Sequence, residues 1–339
     1  MNPDAGSVLI VGPSWIGDMV MTQSLCLTLR QNNPDVAIDI LAPGWSLPVI
    51  GRMNEVREGI ESPFSHGVFN WPGRHRLGKS LRDRAYDQAI VLPRSFKASL
   101  IPFHAGIPRR TGYRGEMRYG FINDMRELDK HRLRTTVQRY VALGVVADEA
   151  LPDPLPQPRL RVDPENLESA MARLGLKRSA RLIGIMPGAE YGPAKQWPAE
   201  NFGELARALN KQGTAVWVFG SEKDRALGDS IVGAAGSRTV NLCGRTSLPD
   251  AIDLISLTDH VVSNDSGLMH IAAAAGVPLI AIFGSSSPRF TPPMSDQAET
   301  VWLEIECSPC FQRTCRFGHY RCLREISPQR VLDAIRSPA

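Results

Sequence analysis

No stretch of this 339-residue chain reaches the eighteen or so apolar residues that a membrane-spanning helix requires. The nearest, residues 271–284, is divided by Gly276 and Pro278 into a helical half and a strand half. The N-terminus, MNPDAGSVLIVGPSW, lacks the basic and apolar regions of a signal peptide, so the chain reads as cytoplasmic. Its six cysteines are then expected to be reduced thiols and not a disulfide framework. No zinc finger, RNA-recognition signature or basic helix points to nucleic acid. What is left is an ordinary soluble composition, 43% hydrophobic and 22% charged, at a length that suggests two domains.

Charge is scarce in net terms, only +4, but unevenly spread. Residues 74–134 hold 15 Lys/Arg against 6 Asp/Glu, a balance of +9 that leaves −5 for the rest. Such a segment is either a solvated face or a surface for an anionic partner.

Strand and helix patterns alternate along both halves. In the first, residues 7–12, 37–42 and 88–92 read as strands, and 17–30, 75–84 and 135–143 as helices. Residues 150–158, ALPDPLPQP, carry four prolines in nine positions, which stiffens a linker and marks a domain boundary. Beyond it, strands at 181–186, 215–220, 239–244, 260–265 and 278–284 alternate with helices at 199–211, 222–235, 248–257 and 266–275. That rhythm predicts α/β domains with parallel sheets, whose ligands bind at the C-terminal ends of the strands and in the cleft between the domains.

The second half is organised around HVVSNDSGLMHIAAAAGVP, residues 260–278. An apolar strand runs into Asn264-Asp265-Ser266-Gly267 and then into a helix. Strand, polar turn and helix start make an anion site, because the first N–H groups lack partners and the macrodipole favours negative charge. The plain alternative is a βα turn capped by Asp265 or Ser266. In the first turn of the chain, Gly12–Gly17 matches G-x4-G, but Asp18-Met19 stand where a P-loop needs Lys and Ser/Thr. Asp18 is therefore either a partner for its helix dipole or a general base. After strand 181–186, Gly188 and Gly192 permit close backbone approach and Lys195 brings a positive charge. After strand 215–220 come Ser221 and Asp224, the latter placed to accept from ribose hydroxyls. Gly188, Lys195, Ser221, Asp224 and residues 265–270 are expected on one rim.

Several long motifs, GPSWIGDMVMTQSL, PGAEYGPAKQWP, FGSEKD and SNDSGLMHIAAAAGVPLIAIFGSSSPRFTPP, resemble the ADP-heptose:lipopolysaccharide heptosyltransferases of glycosyltransferase family 9. VLPRSFKASLIPFHAGIPRRTGYRGEMRYG agrees as well, so the resemblance covers nearly the whole chain. It implies a GT-B architecture: two Rossmann-like, doubly wound parallel-sheet domains, one acceptor-binding at residues 1–158 and one donor-binding at 159–325. A last segment, 326–339, would carry a helix packing back on the first domain. The implied reaction is inverting and metal-independent. It moves L-glycero-D-manno-heptose from ADP-heptose to the first heptose of heptosyl-Kdo2-lipid A, with no cofactor.

By the same resemblance Asp18 is the base and Lys195 the diphosphate-binding cation. Gly188, Ser221, Asp224, Asp265, Ser266, Gly267, Leu268, Met269 and His270 would hold the nucleotide. Ser14, Gly17, Arg94, Lys97, Arg109, Arg110 and Arg114 would meet the anionic lipid acceptor at the cytoplasmic face of the inner membrane. In the branch that adds the first heptose, threonines follow the glycine where Ala189-Glu190 stand here. That branch, or another GT-B nucleotide-sugar enzyme such as an epimerase, is the alternative reading. An epimerase would consume no acceptor.

One motif stands apart. Cys307-x2-Cys310-x4-Cys315-x6-Cys322 gathers four thiols into sixteen residues. The first pair has a metal-binding spacing, so a structural zinc site and plain reduced cysteines are both open readings.

Overall fold

The continuous apolar, β-branched runs do form parallel strands buried on both faces, and the chain folds as two units. In the computed structural model, which describes residues 6–64 and 67–336, these are Met1–Pro158 and Arg159–Ala339. Residues 1–5, at the N-terminus that lacks signal-peptide features, and 337–339, the end of the last expected segment, lie outside the described residues. Among the described residues no helix is long and apolar enough to cross a membrane.

Unit 1 carries β1 (Ser7–Val11), β2 (Ala37–Ala42), β3 (Glu58–Glu61), β4 (Gln88–Val91), β5 (Arg109–Tyr113) and β6 (Asp124–Arg126), in the order β3-β2-β1-β4-β5-β6. All five pairings are parallel. Its helices are α1 (Ile16–Asn32), α2 (Leu47–Ile50), α3 (Trp71–Ser80), α4 (Phe96–His104) and α5 (Thr136–Val141). The helix expected at 75–84 begins four residues earlier, because the Asn70 side chain caps it through Gly73 N–H and Pro72 sets its first turn. A 3₁₀ turn, Arg82–Arg84, follows it. β3, β5, β6 and α4 were not expected from the pattern. The proline linker is tied to α1, where Ser24 Oγ donates to Pro156 O at 2.6 Å.

Unit 2 carries β7 (Leu182–Met186), β8 (Ala215–Val218), β9 (Thr239–Asn241), β10 (His260–Asn264), β11 (Leu279–Phe283) and β12 (Ala298–Trp302), ordered β12-β11-β10-β7-β8-β9 and again parallel. Its helices are α6 (Pro164–Leu174), α7 (Ala199–Lys211), α8 (Arg225–Ala235), α9 (Leu248–Ile255), α10 (Gly267–Ala274), α11 (Arg321–Arg324) and α12 (Pro328–Arg336). Trp197, Phe202 and Phe219 are nearly or fully buried here, and α12 sets Val331, Leu332 and Ile335 into the same unit's core beside Phe202 and Leu205. The apolar side of this last helix is thus used within unit 2.

Counted within each unit, both sheets have the strand order 3-2-1-4-5-6, the Rossmann-like doubly wound arrangement. The first and fourth strands are central neighbours, and the chain winds outward from them in opposite directions. Loops leaving the C-terminal ends of β1 and β4, and of β7 and β10, therefore diverge and leave a crevice. This switch point is where open α/β sheets take ligands.

Candidate active site

At the β7/β10 switch point the structure joins two of the expected residues directly. Lys195 ends a 3₁₀ turn, Pro193–Lys195, after β7, and its Nζ lies 2.5 Å from Asp265 Oδ2, at the end of β10. The Asp265 side chain is 4% exposed and that of Lys195 17%, so the pair is shielded while the ammonium keeps a path to solvent. Ser286 Oγ donates to the same carboxylate oxygen at 2.5 Å. Asn264 clamps the two loops together, accepting from Trp197 N–H at 3.0 Å and donating to Pro187 O at 2.6 Å.

Behind this pair α10 begins. Ser266 is its N-cap, with Oγ accepting from Met269 N–H, and Ser266, Gly267 and Leu268 are partly exposed. Met269 and His270 are buried. Burial pushes the His270 pKa down to about 4. Asp265 opposes that shift and Lys195 adds to it, so the imidazole is neutral at physiological pH.

The rest of the rim is built by close packing. Gly192 has φ +145°, and a Cβ there would meet Arg313 O at 2.6 Å, so only glycine lets the 311–313 segment close on the Lys195 turn. Arg313 and Lys195 both lie over the Tyr191 ring, 5.2 and 5.0 Å from its centroid, and Tyr191 Oη donates to Phe311 O. Gly188 packs on Asp224, whose carboxylate oxygens would be 2.7 Å from an added Cβ. Asp224 Oδ2 accepts from Ser221 N–H and Oγ at 2.9 and 2.7 Å, a cap within the loop after β8 that sets the carboxylate against Gly188 of the loop after β7. Ser286, Tyr191 and Arg313 also belong to this rim. Nothing local marks them, since strand adjacency and loop packing alone bring them to Lys195.

At the β1/β4 switch point of unit 1, Asp18 lies in the first turn of α1, half-buried, where the N-cap Trp15 makes no side-chain cap bond. Its charge reaches Tyr140 of α5, a phenol held well above its ordinary pKa first by burial and then by Asp18. Gly17 is buried and Ser14 exposed, and Ser14 O accepts from the Trp45 indole N–H at 3.0 Å. Trp15 and Trp45 are themselves about half exposed, 48% and 52%. From β4 the chain enters a loop bearing Arg94 and then α4, whose first turn carries Lys97.

The other basic candidates have internal partners. Arg109 on β5 bonds Asp124 on β6, with Nη2 to Oδ2 at 2.9 Å. Arg110 donates to Phe121 O, Ile107 O and Gly120 O. Arg114 pairs with exposed Glu127 at 2.9 Å, and Arg94 donates to Arg114 O. Much of the basic segment is therefore scaffolding: Arg118 is wholly buried against Pro93 O and Tyr113 O, and Arg126 serves Ala142 O and Val145 O.

Cys307, Cys310, Cys315 and Cys322 line one small pocket with His319, and Cys315 Sγ lies 4.0 Å from His319 Nδ1. All four are free thiols. Among the described residues no group of three or more His, Cys, Asp or Glu side chains is arranged to hold a metal ion, so this geometry gives the zinc reading no support.

Comparison with known proteins bears on both units. The family model described as glycosyltransferase family 9 (heptosyltransferase) matches residues 74–321. The chain is 46% identical to the lipopolysaccharide heptosyltransferase 2 of Salmonella typhimurium, covering 97% of each chain. It is 44% identical to the lipooligosaccharide heptosyltransferase 2 of Haemophilus influenzae, covering 97% of this chain and 98% of that one. Among solved structures it matches that of E. coli ADP-heptose LPS heptosyltransferase II with a TM-score of 0.87 at 43% identity, covering 97% and 98% of the two chains. The chain belongs to glycosyltransferase family 9, the heptosyltransferases.

Proposed function

We propose that this glycosyltransferase moves L-glycero-D-manno-heptose from ADP-heptose to the first heptose of the lipopolysaccharide inner core, with inversion at the anomeric carbon. The observation that carries the reading is the shielded Lys195–Asp265 pair at the β7/β10 switch point, in a chain of this family. Transfer from a sugar nucleotide makes two demands. A base must take the proton of the incoming hydroxyl, and positive charge must meet the diphosphate as the glycosidic C–O bond breaks.

Unit 2 supplies the second. Lys195, with Arg313 beside it over Tyr191, and the N–H groups of Gly267 and Leu268 form the anion site. Asp265 and Ser286 orient the lysine from behind. Gly188, Ser221 and Asp224 form the adjoining rim for the nucleoside. Met269 and His270, both buried, pack beneath the helix start that offers these N–H groups.

Unit 1 supplies the first demand through Asp18, with Ser14 and Gly17 shaping its turn. Arg94, Lys97 and Arg114 face the phosphates and Kdo carboxylates of the acceptor. Arg109 and Arg110 hold the β5–β6 edge that carries them. The acceptor is a lipid, which places the enzyme peripherally at the cytoplasmic face of the inner membrane. No step in this reading passes through a metal ion.

The test is mass analysis of acceptor and nucleotide after incubation with ADP-heptose and an inner core carrying one heptose. One heptose is gained per ADP released, with inverted configuration. Asp18→Asn binds ADP as the wild type does but turns over roughly 10²–10⁴-fold more slowly. ADP release with no gain in acceptor mass would favour an epimerase or hydrolase instead. Near-normal turnover by Asp18→Asn would remove the base from this residue.

A further inference from the structure

Unit 1 displays a contiguous set of aromatic rings, of which Phe69, Trp71 and Phe103 are exposed. Phe69 and Trp71 precede and open α3, Phe96 and Phe103 lie on α4, and Phe121 lies in the β5–β6 connection. Ring centroids link them at 6.1 Å (Phe69–Trp71), 6.1 Å (Trp71–Phe96), 4.9 Å (Phe96–Phe121) and 4.5 Å (Phe103–Phe121). Around the cluster, Val68 is 43% exposed, Phe69 49%, Trp71 37%, Phe103 39%, Tyr119 63% and Met117 84%. Large apolar side chains exposed together on a folded surface, and not scattered singly, mark a contact surface.

The backbone beneath is held firmly. Arg74 is buried and donates to Val68 O and Phe69 O at 3.0 and 2.7 Å, which fixes the loop that presents them. Arg110 lies 5.5 Å from the Phe103 centroid and secures the 120–121 backbone. These apolar groups are therefore presented by a braced surface.

Three of the charges around the rings are basic and without an ionic partner among the described residues. Arg76 and Lys79 project from the exposed face of α3, and Lys97 lies in the first turn of α4. Among the described residues no carboxylate pairs with any of the three. Lys79 and Arg82 stand close enough to His104, which packs edge-on against Trp71, to help lower its pKa after burial has done so. Glu116, the carboxylate nearest in sequence to Met117, is taken up by Phe96 N–H at 2.7 Å.

We propose that the Val68–Trp71 loop, Phe103, Met117 and Tyr119, flanked by Arg76 and Lys79, dock this enzyme on an anionic lipid bilayer. Aromatic rings with amphipathic neighbours settle at the headgroup level, and unpaired basic residues beside them are drawn to anionic headgroups. Neither contact alone anchors a protein stably; the two together do. Arg76, Lys79 and Lys97 have no carboxylate partner among the described residues, so their charge is left to meet an anionic headgroup. The proposal rests on the reading that the acceptor is a lipid, and it names the surface that brings unit 1 to it.

The test uses the full chain and vesicles free of acceptor. Wild-type protein is sedimented with phosphatidylglycerol/phosphatidylethanolamine vesicles, with phosphatidylcholine vesicles, and across a salt series. It is expected to partition onto the anionic vesicles and to come off as salt rises. Arg76→Gln with Lys79→Gln should lower the partition coefficient roughly 25-fold, about fivefold per basic residue. Val68→Ser, Phe69→Ser and Met117→Ser together should lower it at least tenfold, with only a small loss of melting temperature, since Val68 is 43%, Phe69 49% and Met117 84% exposed. Both variants should keep wild-type turnover on a water-soluble, deacylated acceptor while losing it on acceptor embedded in vesicles.

Failure of the wild type to bind acceptor-free anionic vesicles overturns the proposal, as does variant binding equal to the wild type. A dimer that the apolar variant converts to monomer, without vesicle binding, assigns the patch to a second copy and also overturns it. Equal loss on soluble and embedded acceptor would make the patch part of the acceptor site. Absence of turnover on any acceptor, with vesicle binding intact, would instead count against the transfer reaction alone.

Discussion

Lys195→Ala separates two roles that the geometry superimposes on one side chain. The lysine is the counterion of Asp265, and in the proposed reaction it also grips the diphosphate. Removing it strands a carboxylate that is 4% exposed, with Ser286 as its remaining donor. Losing one partner of a buried ion pair costs about 3–5 kcal/mol. For a unit of this size that lowers the melting temperature by roughly 6–20 °C. Losing a charge-assisted contact to ADP costs about 1.5–3 kcal/mol, or roughly 10–150-fold in affinity. The two losses are told apart by adding Asp265→Asn. The double variant no longer buries an unpaired charge, so it should recover most of the stability by thermal and urea denaturation. Its ADP affinity by calorimetry should stay at least tenfold below wild type, because the contact to phosphate is still missing. If affinity returns together with stability, Lys195 is only the counterion of Asp265, and the anion site in unit 2 must be assigned elsewhere.

His270 makes the fold acid-sensitive. Its folded pKa, about 4, lies below the unfolded value near 6.5, so its contribution is present above pH 6.5 and is lost as pH falls towards 4. Unfolding free energy should drop by up to about 3 kcal/mol across that window, and a His270→Gln variant with an unchanged slope would refute this. Arg110→Ala should cost about 1.5–3 kcal/mol in urea denaturation, because three carbonyls lose a charged donor, while Arg114→Ala should leave stability alone and raise the KM for the acceptor. An Arg110→Ala enzyme of normal stability but raised acceptor KM would make Arg110 a binding residue after all.

The central strands were legible because they are buried on both faces, so residues such as Leu9–Val11 and Ile183–Met186 leave unbroken apolar runs. β5 and β6 left no such trace. Their sequences, RRTGY and DMR, satisfy one another across the sheet edge, where Arg109 and Thr111 both bond Asp124. The same arginines supply part of the +9 of residues 74–134, and charge counting cannot distinguish a guanidinium paired with carbonyls from one facing solvent. α4 was hidden by Pro102 and by a charged approach through Arg94 and Lys97.

At the site, the turns after β1, β7, β8 and β10 were each readable as strand ends, but the 2.5 Å contact between Lys195 and Asp265 spans seventy positions. It exists because β7 and β10 are neighbours, and strand order is a property of the whole sheet. That order also gives the two units a common frame. In each, the first βα turn leaves a central strand beside the fourth. In unit 1 it carries Asp18, a carboxylate, and in unit 2 it carries Lys195, a cation. A duplicated nucleotide-binding module would gain nothing from an acid at a helix start meant for phosphate, since carboxylate and phosphate repel. A transferase needs this asymmetry, because one turn must take a proton from the nucleophile while the other holds the anion that leaves. The opposite charges at equivalent positions therefore argue for a divided reaction, and against two copies of one binding site.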